Sequence, residues 1–302
     1  TLFTKEFYEL AKRRLAPGGV MCQWLQLYRI FPEDVKLILK TFQSVFPYTT
    51  VWSTVPGDLV LVGAQQPLSM PYQTWVDRVR AAGVQADLEK LKIADPRVLL
   101  EFCWCGPEQV AKLVSGEAWF HDDDNLALEF NAPKALYQPR AFPVNYEGLR
   151  RFRAPPRSVI ADLETVTYDA AFHRAVGAAY RERREITQAS EALERATQLD
   201  PGHAETWMSL GEMHVTQGLA LKAQEALLTA IAADPSKVNA SLMLADLLIA
   251  QGQRAGAMAI YQATARTGPA PEPVARAMGM ALADQGRLAE AAECLRSAVS
   301  QQ

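Results

Sequence analysis

Residues 204–237 read AETWMSLGEMHVTQGLALKAQEALLTAIAADPSK. Apolar residues recur there at intervals of three and four on both sides of Gly218, which predicts two amphipathic helices joined by a turn. Gly218 suits a left-handed residue ending the first helix, and Pro235 stops the second. Shifting the chain on itself by 34 residues reproduces the pattern in segments that open at Ala170, Ala204, Val238 and Glu272. The eighth position is small in each: Gly177, Gly211, Ala245 and Gly279. Further along come Ala189, Ala223, Ala257 and Ala291, then Ala196, Ala230, Thr264 and Ala298. Small side chains at such positions let two antiparallel helices approach closely. Val176, Leu210, Leu244 and Met278, facing Leu193, Leu227, Tyr261 and Leu295, supply the bulk that fills the seam. Pro201, Pro235 and Pro269 end the second helices, and Gly218, Gly252 and Gly286 mark the turns, with Arg184 taking that place in the first segment.

Trp207, Leu210, Gly211, Ala223, Ala230 and Pro235 together resemble the tetratricopeptide repeat (TPR). The expected repeats are 170–203, 204–237, 238–271 and 272–302. One such hairpin cannot bury its own apolar face, so the repeats must stack, and the first helices then line a concave groove. The predicted groove residues include Arg174, Arg181, Met208, Glu212, Leu242, Asp246, Ile249, Arg276 and Met280. TPR domains that clamp a C-terminal carboxylate carry Asn at the ninth position. Here that position is Ala178, Glu212, Asp246 and Met280, which argues against this mode. The expected partner is a protein or peptide with apolar anchors and some acidic residues to meet the arginines. Two alternatives stand beside it: the charges are only a solvated face, or the groove is covered by the chain's own N-terminal half.

The composition fits a soluble globular chain of two domains. It has 302 residues, 49% of them hydrophobic and 22% charged, with a formal net charge of −3. That charge offers no electrostatic basis for nucleic acid. Cys22, Cys103, Cys105 and Cys294 form no CxxC pair and no zinc spacing, so they read as reduced thiols, with a Cys103–Cys105 redox pair as the alternative. No metal-ligand set is expected. Asp122, Asp123 and Asp124 lack the alternating spacing and glycine of a calcium loop and read as a helix cap or loop rather than a cation site.

Upstream of the repeats, 4–15 has the period of an amphipathic helix with Phe7, Leu10, Ala11 and Leu15 on one side. Val20 to Leu25 reads as a buried strand, and Pro32, Glu33 and Asp34 open a second helix. Pro56-Gly57-Asp58 separates two β-rich runs and predicts a hairpin.

LFTKEFYELAKRRLAPGGVMCQWLQLY (2–28) and HDDDNLALEFNAPKALY (121–137) resemble the bacterial spermidine synthase (aminopropyltransferase) family. The resemblance covers about 2–137. It implies the C-terminal portion of a Rossmann-like, class I methyltransferase sheet, whose last strands form an antiparallel hairpin. It also implies decarboxylated S-adenosylmethionine, or S-adenosylmethionine, as the cofactor of a parent enzyme. Tethering to the inner membrane through upstream helices, on the cytoplasmic face, is a further implication.

The Gly-rich loop that holds the nucleoside is missing from 1–65, and the family's acidic pair lies before the matching segment, so no catalytic residue is expected in this chain. Gln23 matches a glutamine beside the amine substrate, while Val55 stands where the family places a substrate-site tyrosine.

The expected fold is thus mainly α with a small α/β part. Residues 1–66 form the Rossmann-like portion, 67–137 a helical extension, 138–168 a Pro- and Arg-rich linker, and 170–302 a TPR α-solenoid. Because the chain opens on Thr1, it is expected to be a piece of a longer protein. The leading expectation is an interaction scaffold attached to a non-catalytic spermidine synthase-like portion. The alternative is a fragment of an active aminopropyltransferase or other S-adenosyl-dependent transferase.

Overall fold

The computed structural model describes all residues except 1, 92, 94, 138–139, 266–271 and 301–302, and all described side chains except that of Thr54. Pro269, expected to end a second helix, and the first two residues of the expected linker, 138–139, lie outside the described residues. The chain forms two compact units, Thr1–Thr167 and Tyr168–Gln302.

In the first unit, Thr4 caps α1 (Lys5–Arg14) by accepting a hydrogen bond from the Phe7 amide at 3.3 Å. The buried side of α1 centres on Tyr8, with Phe7 packed alongside; Leu10, expected on that face, is exposed. Strand β1 (Met21–Gln26) leads to α2 (Pro32–Val45), which starts on a proline with Glu33 and Asp34 in its first turn. β2 (Tyr48–Val55) and β3 (Asp58–Ala64) form the expected hairpin, with Gly57 at φ +96° in the turn. A short strand absent from the sequence reading, β4 (Cys103–Cys105), completes the sheet in the order β1-β3-β2-β4. Every pairing is antiparallel. A Rossmann-like sheet, expected from the resemblance, is not shown among the described residues.

Leu25, Leu59 and Leu61 point from the sheet into a core shared with α2. Tyr8 meets Phe42 edge to face with ring centroids 5.0 Å apart. A Cβ on Gly63 would lie 2.5 Å from the Phe42 ring, so glycine there lets α2 lie close on β3. β1 is not the buried strand that its apolar content suggested. It lies at the sheet edge, where Cys22 and Trp24 are exposed and Leu25 is buried.

Helices α3 (Tyr72–Val79), α4 (Ala82–Lys90), α5 (Pro96–Glu101), α6 (Pro107–Leu113) and α7 (Ala127–Ala135) follow. Stacked Trp52 and Trp75 rings, with centroids 6.2 Å apart, seat α3 on β2. No described helix is long and apolar enough to cross a membrane.

The expected linker over 138–168 is corrected. It contains α8 (Ala141–Arg150), whose Ala141, Asn145, Tyr146 and Leu149 are buried. Asn145 Nδ2 donates to the carbonyls of Leu27 and Ile30, both at 2.9 Å, closing the loop after β1. Beyond α8, Val159, Ile160, Leu163 and Val166 pack with Leu100 and Cys103. The Met70 amide donates to the Val159 carbonyl at 2.9 Å. Proline and arginine gave the segment the composition of a tether. Its apolar residues nevertheless have partners upstream, and Arg153 is paired with Glu101.

The second unit consists of four helical hairpins: α9 (Ala170–Glu182) with α10 (Ile186–Leu199), α11 (Ala204–Thr216) with α12 (Ala220–Ala233), α13 (Val238–Ala250) with α14 (Arg254–Ala265), and α15 (Glu272–Asp284) with α16 (Leu288–Val299). Ala189, Ala223, Ala257 and Ala291 are all buried, as are Ala196, Ala230, Thr264 and Ala298. A Cβ on Gly177, Gly211 or Gly279 would lie 2.8, 2.7 or 2.7 Å from Cγ of Leu193, Leu227 or Leu295. The turn glycines 218, 252 and 286 have φ of +73°, +76° and +75°, and Arg184 adopts +60° in the same place.

Replacing Asn145 by Ala leaves two buried carbonyls unsatisfied and should cost about 1–3 kcal/mol in urea unfolding. Arg151→Ala should cost within about 0.5 kcal/mol. Limited proteolysis should spare 141–150; early cleavage there would restore the tether. In the repeats, Ala223→Leu should destabilise by about 1–3 kcal/mol through overpacking. Lys222→Ala, on the exposed side, should cost within about 0.5 kcal/mol. Equal losses at 222 and 223 would overturn the register.

Candidate functional site

The first helices of the repeats carry the groove positions. Helical spacing sets residues 2, 5, 9 and 12 of each repeat on one side, away from the seam formed by residues 7, 8 and 24. Val215, Ile249 and Met280 are 42%, 37% and 58% exposed, although all three are apolar. Met208 and Leu242 are half-buried and pack against the cluster of Leu227, Leu244 and Val274, so they serve the core as well as the groove. A cavity of about 220 Å³ opens between α9 and α11, lined by Arg174, Gly177, Ala178, Arg181, Glu205 and Ser209.

The arginines expected to meet an acidic peptide are engaged within the chain. Arg174 pairs with Asp200 at 3.0 Å, and Arg181 reaches Glu212 of the next repeat at 3.3 Å. Lys237 pairs with Glu205 at 2.9 Å. Arg276, on its more exposed helix, has Glu272 at 3.4 Å one turn away. The groove is therefore less basic than its sequence suggests.

Asp246 differs from Glu212. No ion pair to Asp246 is found among the described residues. Partial desolvation raises the Asp246 carboxyl above its ordinary value, and the nearby Tyr261 opposes that rise. Tyr261 itself is pushed up to about 12, first by burial and then by the charge of Asp246. The sequence reading placed Tyr261 in the seam and Asp246 in the groove but did not connect them. The signal was available, since Tyr261 is the one polar residue in a position otherwise filled by leucine.

In the first unit, Gln23 is half-buried on β1 opposite Leu61, and its Nε2 donates to the Trp24 carbonyl at 2.9 Å. Val55 is exposed at the hairpin end. Asp122 accepts from the Asn125 amide at 2.7 Å and the Asp124 amide at 3.2 Å, a turn held by its own carboxylate. No metal-binding group is found among the described residues.

The 121–137 motif anchors helices. His121 donates its amide to Thr41 Oγ1 at 2.9 Å and accepts from the Lys5 amide at 2.8 Å. Asn131 Nδ2 donates to Asp34 at 2.9 Å, holding α7 on α2. Cys103 and Cys105 are both buried, and burial pushes both thiols up to about 12, which keeps them protonated and poor nucleophiles.

Residues 175–223 and 215–271 match the tetratricopeptide repeat family. This stretch consists of TPR repeats. A solved structure described as the crystal structure of MamA is 20% identical, with a TM-score of 0.42, covering 53% of this chain and 91% of that one. A second, described as the crystal structure of MamA protein, is 21% identical with a TM-score of 0.41, covering 54% and 86%. The APC/C hetero-tetramer Cut9-Hcn1 is 18% identical with a TM-score of 0.38, covering 43% and 25%. No curated protein matches the chain.

Proposed function

We propose that the chain is an interaction scaffold whose TPR groove holds a peptide segment of another protein. The observation that carries this reading is the exposure of Val215, Ile249 and Met280 on the first helices, where the hairpin seam does not need them. Apolar side chains set at the repeat spacing suit a ligand that lies across several repeats, extended or helical. Burying such side chains yields roughly 25 cal/mol per Å².

An Ile249→Glu, Met280→Glu double variant should keep its helical circular dichroism and lose the proteins that the wild-type chain captures. These positions test the groove better than Met208 and Leu242, which also pack in the core. Unchanged capture by a folded double variant would remove the concave face as the working surface.

A second reading takes the first unit as the C-terminal portion of a spermidine synthase-like domain. The strand order supports it. β3 lies antiparallel between β1 and β2, so β1 and β2 run in the same direction, with α2 connecting them. A class I methyltransferase-like sheet would end in this way. Gln23 would then face the amine-substrate side, and Val55 would withhold the family's hydroxyl.

On this reading the present chain is non-catalytic, with its nucleoside-binding part upstream and any membrane tether outside these residues. Calorimetry with decarboxylated S-adenosylmethionine should show no saturable heat. Binding tighter than roughly 100 μM, about −5.5 kcal/mol, would mean that the first unit holds cofactor by itself.

A further inference from the structure

One ion pair joins groove positions of neighbouring repeats, and the equivalent place one repeat later has lost its cation. Arg181 is the twelfth residue of the first repeat and Glu212 the ninth of the second; they pair at 3.3 Å. One repeat later, the equivalent residues are Val215 and Asp246. Valine has replaced the arginine while the carboxylate has been kept. One repeat further on, the pair is Ile249 and Met280, and both charges are gone.

The other cations of the groove are committed elsewhere: Lys237 to Glu205, Arg174 to Asp200 and Arg276 to Glu272. Asp246 thus stands exposed on the same side as Val215, Ile249 and Met280, with no ion pair to it among the described residues. Tyr261 fills the seam place of a leucine in the same repeat, where the eighth position is Ala245 rather than glycine.

We infer that the middle of the groove recognises a peptide segment carrying a lysine or arginine next to apolar residues, with the cation on Asp246 in the place that Arg181 occupies beside Glu212. This rests on the scaffold reading above and reverses the acidic preference expected from the sequence. A carboxylate flanked by apolar surface selects a cation on an apolar stem, because the stem covers Val215 and Ile249 while the charge is met.

The test uses the full chain and a random 12-residue peptide display library. Peptides selected by the wild-type chain should be enriched in Lys or Arg beside apolar residues. The best of them, synthesised with blocked ends, should bind the Asp246→Asn and Val215→Arg variants about two- to fivefold more weakly, as expected for a partly exposed ion pair. The first variant removes the charge at nearly unchanged size; the second supplies an internal arginine that competes for Asp246. Binding should also weaken with added salt.

Selection of acidic or uncharged peptides would overturn the inference. So would equal binding by the wild-type, Asp246→Asn and Val215→Arg chains. In both cases the groove reading survives if the Ile249→Glu, Met280→Glu variant loses the peptide. Retention by that double variant, or failure to select any peptide, would remove the groove reading and the inference with it.

Discussion

The contact between a small residue at the eighth position of each repeat and the large side chain opposite it sets the spacing of every hairpin. In three repeats that contact is glycine against leucine, and a Cβ would come within 2.7–2.8 Å of the leucine Cγ. Removing one methyl group's worth of volume from the first helix lets the second lie against its backbone. Interiors packed at crystal-like density respond to such differences, so the helix separation within each hairpin follows from this contact. The third repeat solves the same problem differently. There Ala245 stands in the eighth position and Tyr261 in the seam, a flat ring in place of a branched side chain.

The first unit depends on a different kind of closure. Its sheet is small, and β1 lies at an edge, so burial must come from segments distant in sequence. Residues 141–166 provide it. Asn145 satisfies the Leu27 and Ile30 carbonyls, and Ile160 and Leu163 cover Cys103. Buried backbone carbonyls need partners, and an asparagine amide with two donors can serve two of them at once. The 121–137 motif has the same economy. Its His121 backbone joins α1 to α2, and Asn131 joins α7 to Asp34.

Electrostatics in the repeats is mainly an exchange between neighbours. Arg181 with Glu212 and Lys237 with Glu205 link the first helix of one hairpin to that of the next, α9 to α11 and α11 to the start of α13. Exposed pairs of this kind contribute little stability, typically about 0.2–1 kcal/mol. Their larger consequence is that they neutralise the groove in its first half and leave Asp246 as the charge available in its middle.

The sequence by itself determined the repeats. Four in-register copies of small, large and helix-stopping residues fix helix pairs, their turns and the face each pair must bury, because that information is periodic and local. It also determined the β2–β3 hairpin through Pro56-Gly57-Asp58, and even the left-handed residue where Arg184 replaces glycine. Tertiary structure alone decided the fate of 141–166, because proline and arginine describe local stiffness and charge but not a partner over a hundred residues away. It likewise decided that β1 is an edge strand and that β4 exists, since three residues carry too little periodicity to announce a strand. The proposed groove positions follow from the repeat register, but their ion pairs do not. Which arginine meets which carboxylate depends on distances between successive repeats, and these exist only once the helices have stacked.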